Sequence, residues 1–251
     1  MIFMKILLTN DDGYDSQGLK AVADLFLQDG HELTVVAPDT QRSASSHAIT
    51  LTPKSLPFRK IDGNAYKTYA VDGTPADCVK TALTLLCKSP DVVISGINRG
   101  ENLGSDIWYS GTVSAATDAA YYGFRAIALS LDDKSAEYSD FLRCAEFVKR
   151  NISTFMSLKL PSSTLLNVNF PRGIPKGVAF ARMNTQRTFI DDYKYIDDNT
   201  IDPTGYRNYD GLDAQTDEGL CHNGYITVTP LKLDRTDYSA LDMLSETVLK
   251  L

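Results

Sequence analysis

The sequence predicts an α/β protein: a doubly wound, mostly parallel sheet that carries a β-rich C-terminal extension or arm. Three observations lead there. Short apolar runs of strand length alternate with segments of helical period over the first two-thirds of the chain. Several of those runs stop at polar clusters, as strands of an open α/β sheet do where ligands bind. After Met183 the composition turns acidic and tyrosine-rich, and nothing there until Tyr225 can supply a core strand of a parallel sheet.

Lys5–Thr9 (KILLT) is a buried strand that ends in the turn residues Asn10-Asp11-Asp12-Gly13. Leu19, Val22, Ala23 and Phe26 recur at helical spacing from Ser16 to Gln28, and Gly30 closes the segment. His31–Pro38 (HELTVVAP) is the next strand. Strand, helix and strand in so short a span make a βαβ unit with a right-handed crossover, and His31 at the strand start reads as structural. Asp39–Ala48 is a long polar loop, and Ile49–Tyr69 reads as short strands with turns at Pro53, Pro57 and Asp62-Gly63.

Thr74 is the expected N-cap of a helix with Pro75 at its first position and Asp77 at its third. Val79, Ala82, Leu83 and Leu86 form the apolar face. Asp91–Gly96 is a strand, Ile97–Gly111 a Gly- and Asn-rich loop, and about 112–123 a helix. Ala126–Leu131 is a strand, about 137–156 a longer helix, and Thr164–Phe170 the next strand. Arg187–His222 holds nine acidic residues against three basic ones, together with Tyr193, Tyr195, Tyr206 and Tyr209. That is too acidic for a core and more aromatic than a solvated linker needs, so the stretch reads as a projecting arm that packs on another subunit, with an active-site lid as the alternative. Tyr225–Leu231 returns to strand, and Ser239–Leu249 is a terminal helix. The division is therefore a core over 1–183, an oligomerisation arm over 184–223, and a strand and helix over 224–251 that return to the core or to a partner subunit.

With 251 residues, 43% of them hydrophobic, the chain can bury a full core. Its net charge of −7 opposes binding to nucleic-acid polymers and anionic membranes. A small anionic substrate stays admissible, because a bound divalent cation reverses the local sign. Cys78, Cys87, Cys144 and Cys221 form no C-x-x-C pair and read as reduced thiols of a cytoplasmic protein. No apolar run approaches the ~20 residues of a membrane span, and Met1–Lys5 is too short for a signal peptide.

Three polar clusters fall at carboxyl ends of strands: Asn10-Asp11-Asp12-Gly13, Gln41-Arg42-Ser43, and Asn98. They offer two carboxylates, a hydroxyl and an amide carbonyl, the oxygen ligands that Mg²⁺ and Mn²⁺ prefer. Each also has a plain structural reading: a turn, a solvated loop serine, a loop amide. Two adjacent carboxylates repel unless neutralised, which favours the metal reading. Tyr109-Ser110-Gly111-Thr112 precedes an Ala-rich helix, so its hydroxyls and N–H groups suit a phosphate, although Ser110 or Thr112 also serves as an ordinary N-cap. Asn102 and Gly104 either line that pocket or only shape the turn. No P-loop, dinucleotide fingerprint or nucleophile elbow is present, which removes the main support for NTPase, dehydrogenase and serine-hydrolase readings.

These residues resemble the SurE family, the survival-protein 5′/3′-nucleotidases. The resemblance rests on Lys5–Gly13, Val35–Asp39 with Arg42-Ser43, Gly73–Val79, Val93–Leu103, Tyr109–Val113, Ala126–Leu131 and Gly224–Leu231, which together run nearly end to end. It implies a Rossmann-like core and one divalent ion per subunit, Mg²⁺ or Mn²⁺, held by Asp11, Asp12, Ser43 and Asn98. It also implies hydrolysis of nucleoside 5′- and 3′-monophosphates, short polyphosphate as a side substrate, and cytoplasmic dimers or tetramers. His47 departs from the small polar residue expected there.

The expected mechanism is hydrolysis by a metal-activated water, with Asp11 and Asp12 as the catalytic carboxylates. Asn10, Ser43, Asn98, Asn102, Ser110, Gly111 and Thr112 are the expected phosphate or substrate contacts. Attack by Asp11 itself ranks lower, because the D-x-D spacing of aspartyl-phosphate enzymes is missing. His47, in the loop of Ser43, is either a solvated histidine or a donor to the leaving oxygen. The rivals are a regulatory nucleotide-binding module without turnover and a phosphotransferase. Phosphate release from AMP with Mg²⁺ or Mn²⁺ separates the first from an enzyme, and product analysis separates the second.

Overall fold

The computed structural model describes residues 3–51 and 55–244. In chain order its elements are β1 (Lys5–Thr9), α1 (Gln17–Gln28), β2 (Glu32–Pro38), β3 (Phe58–Ile61), β4 (Lys67–Val71), α2 (Pro75–Thr81), β5 (Val92–Arg99), α3 (Gly111–Tyr121), β6 (Arg125–Leu131), α4 (Tyr138–Ser157), β7 (Thr164–Phe170), β8 (Gly177–Phe180), β9 (Phe189–Ile190), β10 (Tyr193–Asp197), β11 (Thr200–Pro203), β12 (Tyr206–Arg207), α5 (Asp217–His222), β13 (Tyr225–Lys232) and α6 (Tyr238–Leu244). A π-turn over Ala82–Leu86 extends α2, and a 3₁₀ turn covers Gly104–Trp108.

Nine strands form one sheet in the order β3-β4-β2-β1-β5-β6-β7-β13-β8. From β4 to β7 every pairing is parallel, while β3 and β13 run antiparallel to β4 and β7. The sheet separates two buried clusters. Ile6, Leu8, Phe26, Ile94 and Phe141 lie on the α1/α4 side, and Leu7, Val36, Val79, Val93 and Ala116 on the α2/α3 side. The alternation Ile6, Leu7, Leu8 along β1 thus feeds both faces, as a centrally placed parallel strand requires. Each such side chain contributes roughly 1.5–3 kcal/mol when fully buried.

Helix starts follow the sequence closely. Ser16 accepts from the Leu19 amide, and Thr74 and Asp77 form the reciprocal capping box that starts α2 behind Pro75. The order of the sheet reverses direction between β1 and β5. Asn10-Asp11-Asp12-Gly13 and Asn98 therefore stand at the switch point, where open α/β sheets bind ligands.

Three sequence expectations change. β5 runs on to Arg99, so Asn98 is a strand residue paired in register with Ser130 rather than a loop residue. β8 was not expected; it is a short edge strand with an outward-facing Val178 and Phe180. Pro53, and the terminal helix beyond Leu244, lie outside the described residues.

The third change concerns the acidic stretch. Its tip, the β10–β11 hairpin, is exposed throughout, but Asp217 and Glu218 on α5 are buried. Asp217 accepts from the amides of Gly104 (3.1 Å), Asn184 (2.7 Å) and Glu218 (2.8 Å). Glu218 accepts from Asn184 Nδ2 (2.7 Å) and Thr188 Oγ1 (2.8 Å). Acidity does not bar these two from the interior because their oxygens are satisfied there. Among the described residues, no helix is long and apolar enough to cross a membrane.

Candidate functional site

Asn10 leaves β1 fully buried and closes the first turn on itself. Its Nδ2 donates to Gly13 O (2.9 Å) and Ser16 Oγ (2.6 Å), while its Oδ1 accepts from the Gly13 amide (3.1 Å). Gly13 takes a positive φ of 108° in that turn. The side chain of Asn10 therefore shapes the loop and faces inward, not toward a substrate.

The turn delivers Asp11 to the N-terminus of α3. Asp11 is 5% exposed, and Thr112 Oγ1 donates to its Oδ1 at 2.5 Å. A Cβ on Gly111 would meet Asp11 Cβ at 2.8 Å and Pro75 Cγ at 2.9 Å, so only glycine lets α3 approach this closely. Burial lifts the Asp11 carboxyl to about 6, with the Asp12 charge adding to the rise and the Thr112 hydrogen bonds opposing it.

Asp12 lies beside Arg99 and Gln41. The Arg99 amide donates to its Oδ2 (3.2 Å), and Gln41 Nε2 reaches both its Oδ1 (3.4 Å) and Ser43 Oγ (2.9 Å). Burial raises the Asp12 carboxyl as well, against the Arg99 amide and charge. Gln41 thus joins the first and second clusters, and the Arg99 amide joins the third. Arg42 turns its guanidinium to Asp39 and Asp72 instead. Asn98 donates through Nδ2 to Gly100 O (2.9 Å), which leaves Oδ1 as its remaining donor atom for a cation.

A cavity of about 730 Å³ opens on this corner. Asp11, Ser43, Asn98, Asn102 and Ser110 line it, Asn10, Gly111 and Thr112 are buried behind them, and Asp12 is half-buried next to Asp11. Thr112 is fully buried against Asp11, so here it orients the carboxylate rather than presenting its hydroxyl to the cavity. Ser110 combines two roles, lining the cavity and capping α3 by accepting from the Val113 amide (3.0 Å). Asn102 is nearly buried, with Nδ2 donating to Ser130 Oγ (2.8 Å). Its carbonyl accepts from Asn167 (2.8 Å) and Asn169 (3.0 Å), which pins the loop after β5 to β6 and β7.

His47 does not overhang this cavity. Its Nε2 lies 3.2 Å from Asp118 Oδ2, and it lines a separate cavity of about 340 Å³ with Thr117, Leu165 and Arg235. Ser46 causes this. Its amide donates to Tyr109 O (3.0 Å) and its hydroxyl to Trp108 O (2.7 Å), which ties the loop to the 3₁₀ turn and aims the next side chain outward.

Sequence reasoning missed four cations on the main cavity wall: Arg99, Lys134, Arg187 and Arg207. Arg99 is engaged by Ala136 O and Gln17, Arg187 by Asp191, and Arg207 by Glu101 and Asp106. Lys134 is exposed at the cavity. It follows β6, so the rule that drew attention to the ends of β1, β2 and β5 applied to it equally.

The donor set fits a hard divalent cation. Two sequence-adjacent carboxylates, both held above their ordinary range chiefly by burial, stand at one corner with the neutral oxygens of Ser43 and Asn98. Although Arg99 offsets part of the Asp12 charge, Asp12 still raises Asp11, a repulsion that a cation relieves. Among the described residues, no three His, Cys, Asp or Glu side chains gather as they would for a zinc centre.

Comparison with known proteins identifies the family. The family described as Survival protein SurE matches residues 6–189. A 5′-nucleotidase SurE of Pelotomaculum thermopropionicum is 42% identical over 97% of this chain and 95% of its own length. One from a Thermoanaerobacter species is 42% identical over 99% of this chain and all of its own. The crystal structure of the SurE protein from Aquifex aeolicus superposes with a TM-score of 0.84 at 35% identity, covering 96% of this chain and 98% of that one. A likeness that spans both chains almost completely, and includes the switch-point loops as well as the sheet, shows that this chain belongs to the SurE family.

Proposed function

We propose that the protein hydrolyses nucleoside 5′- and 3′-monophosphates to nucleoside and phosphate, using one divalent ion, Mg²⁺ or Mn²⁺, held by Asp11, Asp12, Ser43 and Asn98. The observation that carries this reading is the buried Asp11 carboxylate at the corner of a cavity also lined by Ser43 and Asn98. Relatives of the same length named 5′-nucleotidase SurE support the 5′ activity. The 3′ activity and the side activity on short polyphosphate rest on a cavity far larger than one phosphoryl group.

When bound, the ion supplies charge neutralisation, polarisation of the phosphoryl group and a more acidic water. The chain does the rest. Asn98 and Ser110 orient the phosphoryl group, and Lys134 adds positive charge on its open side. Thr112, through its hydroxyl and its amide at the start of α3, fixes Asp11, which takes the proton of the attacking water. The four free cysteines suit a reducing compartment and support a cytoplasmic location. The exposed Tyr193, Tyr195, Ile196 and Ile201 of the β10–β11 hairpin support self-association through the arm, as a dimer or tetramer.

Asp11→Asn and Asp12→Asn test the reading. Each is expected to abolish divalent-dependent phosphate release from AMP and to weaken Mn²⁺ binding by calorimetry, with an unchanged circular dichroism spectrum. Near-normal activity and ion affinity in both variants reject it.

A further inference from the structure

We propose that the wall of the main cavity contributed by the acidic segment is a nucleobase subsite, with Phe189 as its stacking platform and Arg207 as the residue that positions the platform. The proposal rests on the nucleotidase reading above and says which part of the substrate the acidic segment receives.

The cavity is too large for phosphate alone. At about 730 Å³ it falls among sites of roughly 300–1,000 Å³ that enclose whole small molecules. Asp11, Ser43 and Asn98 form one part of its wall. Another part is formed by Arg187, Phe189 and Arg207, which all come from the acidic segment. Phe189 is 38% exposed there, although a phenyl ring gains nothing from water.

The position of that ring is fixed from several sides. β9 and β12 pair so that Phe189 lies opposite Arg207, whose guanidinium carbon is 5.7 Å from the ring centroid. A Cβ on Gly205 would come within 2.4 Å of the ring, so the backbone there packs directly against it. Arg207 in turn holds the ribbon to the rest of the site. Nη2 pairs with Glu101 at 3.4 Å and with Asp106, and Nη1 lies 3.6 Å from Glu218 and donates to Thr188 Oγ1 at 3.3 Å. Glu101 and Asp106 belong to the loop that continues from Asn98. One half-buried guanidinium therefore sets the spacing between the phosphate corner and the aromatic wall.

Trp108 and Tyr109 also border the cavity, but Trp108 has Arg235 at 4.0 Å over its ring and is shared with the second cavity. Phe189 is the aromatic held by the same contacts that shape the main cavity. A flat ring reads the face of a base and not its hydrogen-bonding edge. Such a platform separates a nucleotide from a bare sugar phosphate without selecting one base.

The test compares kcat/KM for AMP with that for ribose 5-phosphate, which carries the same phosphate and sugar and no base, at saturating Mn²⁺. The wild-type enzyme is expected to favour AMP. Phe189→Ala should lower the AMP to ribose 5-phosphate ratio about tenfold through the KM for AMP, Phe189→Tyr should restore it, and Arg207→Lys should lower it because the planar fork is lost. A ratio unchanged in Phe189→Ala, whether both substrates keep their rates or lose them in parallel, overturns the subsite and makes the wall purely structural. Failure of the wild-type enzyme to release phosphate from either compound overturns the nucleotidase reading, and the subsite with it.

Discussion

Thr112 Oγ1 donates to Asp11 Oδ1 at 2.5 Å, so the hydroxyl of the second residue of α3 serves a carboxylate and not the open cavity. This contact stabilises the ionised form of Asp11 against the burial that raises its pKa. Thr112→Val keeps the shape and removes the donor. Divalent-ion affinity should then fall about tenfold near pH 6.5, the scale of one charge-assisted hydrogen bond. The deficit should narrow at pH 8.5, where Asp11 is ionised in both proteins. Calorimetric titration with Mn²⁺ at the two pH values checks this, and equal affinities at both would mean that Thr112 only fills space.

Lys134 offers the cavity a charge that the other three cations on its wall give to neighbouring groups. Lys134→Met should raise the KM for AMP several-fold and weaken inhibition by free phosphate, with kcat within about twofold. Steady-state kinetics decide the matter. A loss confined to kcat would place Lys134 in the chemical step instead of in phosphate binding.

Asp132, beside Glu101, gives a pH test with a definite sign. Burial, and then the Glu101 charge and hydrogen bond, push its carboxyl up to about 7. The folded state binds this proton more tightly than the unfolded chain, whose carboxyl titrates near 3.8. The stabilisation is therefore complete below about pH 4 and is lost as the pH rises toward and through 7. Asp132→Asn keeps a donor for Glu101 and carries no charge. The variant should melt at a higher temperature than wild type at pH 8, and the gap should close toward pH 4. A melting difference that is the same at both pH values contradicts the assignment.

The β10–β11 hairpin turns Tyr193, Tyr195, Ile196 and Ile201 to the outside, on a ribbon whose base is clamped by Arg207. Replacing Tyr193–Pro203 by a short Gly/Ser linker leaves that base in place. On the proposed self-association, the assembly seen by light scattering should become smaller while phosphate release from AMP persists. An unchanged assembly would move the role of the hairpin from subunit packing to the cavity.

Much of this architecture was legible in the order of residues. The alternation Ile6, Leu7, Leu8 announces a strand covered on both faces, and Ser16, Thr74 and Pro75 mark helix starts through contacts only three residues long. That Asp11, Asp12, Ser43 and Asn98 come together was legible too, because strand ends in an open α/β sheet converge on one rim. Local periodicity and local hydrogen bonds decide such features, and both are written along the chain.

Other features follow from neighbours far apart in sequence. Thr112 and Asn10 read as substrate contacts until Asp11 and the Gly13 turn, respectively, engage their side chains. His47 shares a loop with Ser43 yet pairs with Asp118, because Ser46 is tied to the carbonyls of Trp108 and Tyr109. Asp217 and Glu218 look like solvent residues in an acidic run, and they become buried only where amides of Gly104 and Asn184 meet them. Arg207 lies more than a hundred positions from Glu101 and Asp106. A polar side chain shows its chemistry in the sequence, but which of its possible partners it meets is settled only when packing removes water and leaves one neighbour within hydrogen-bond reach.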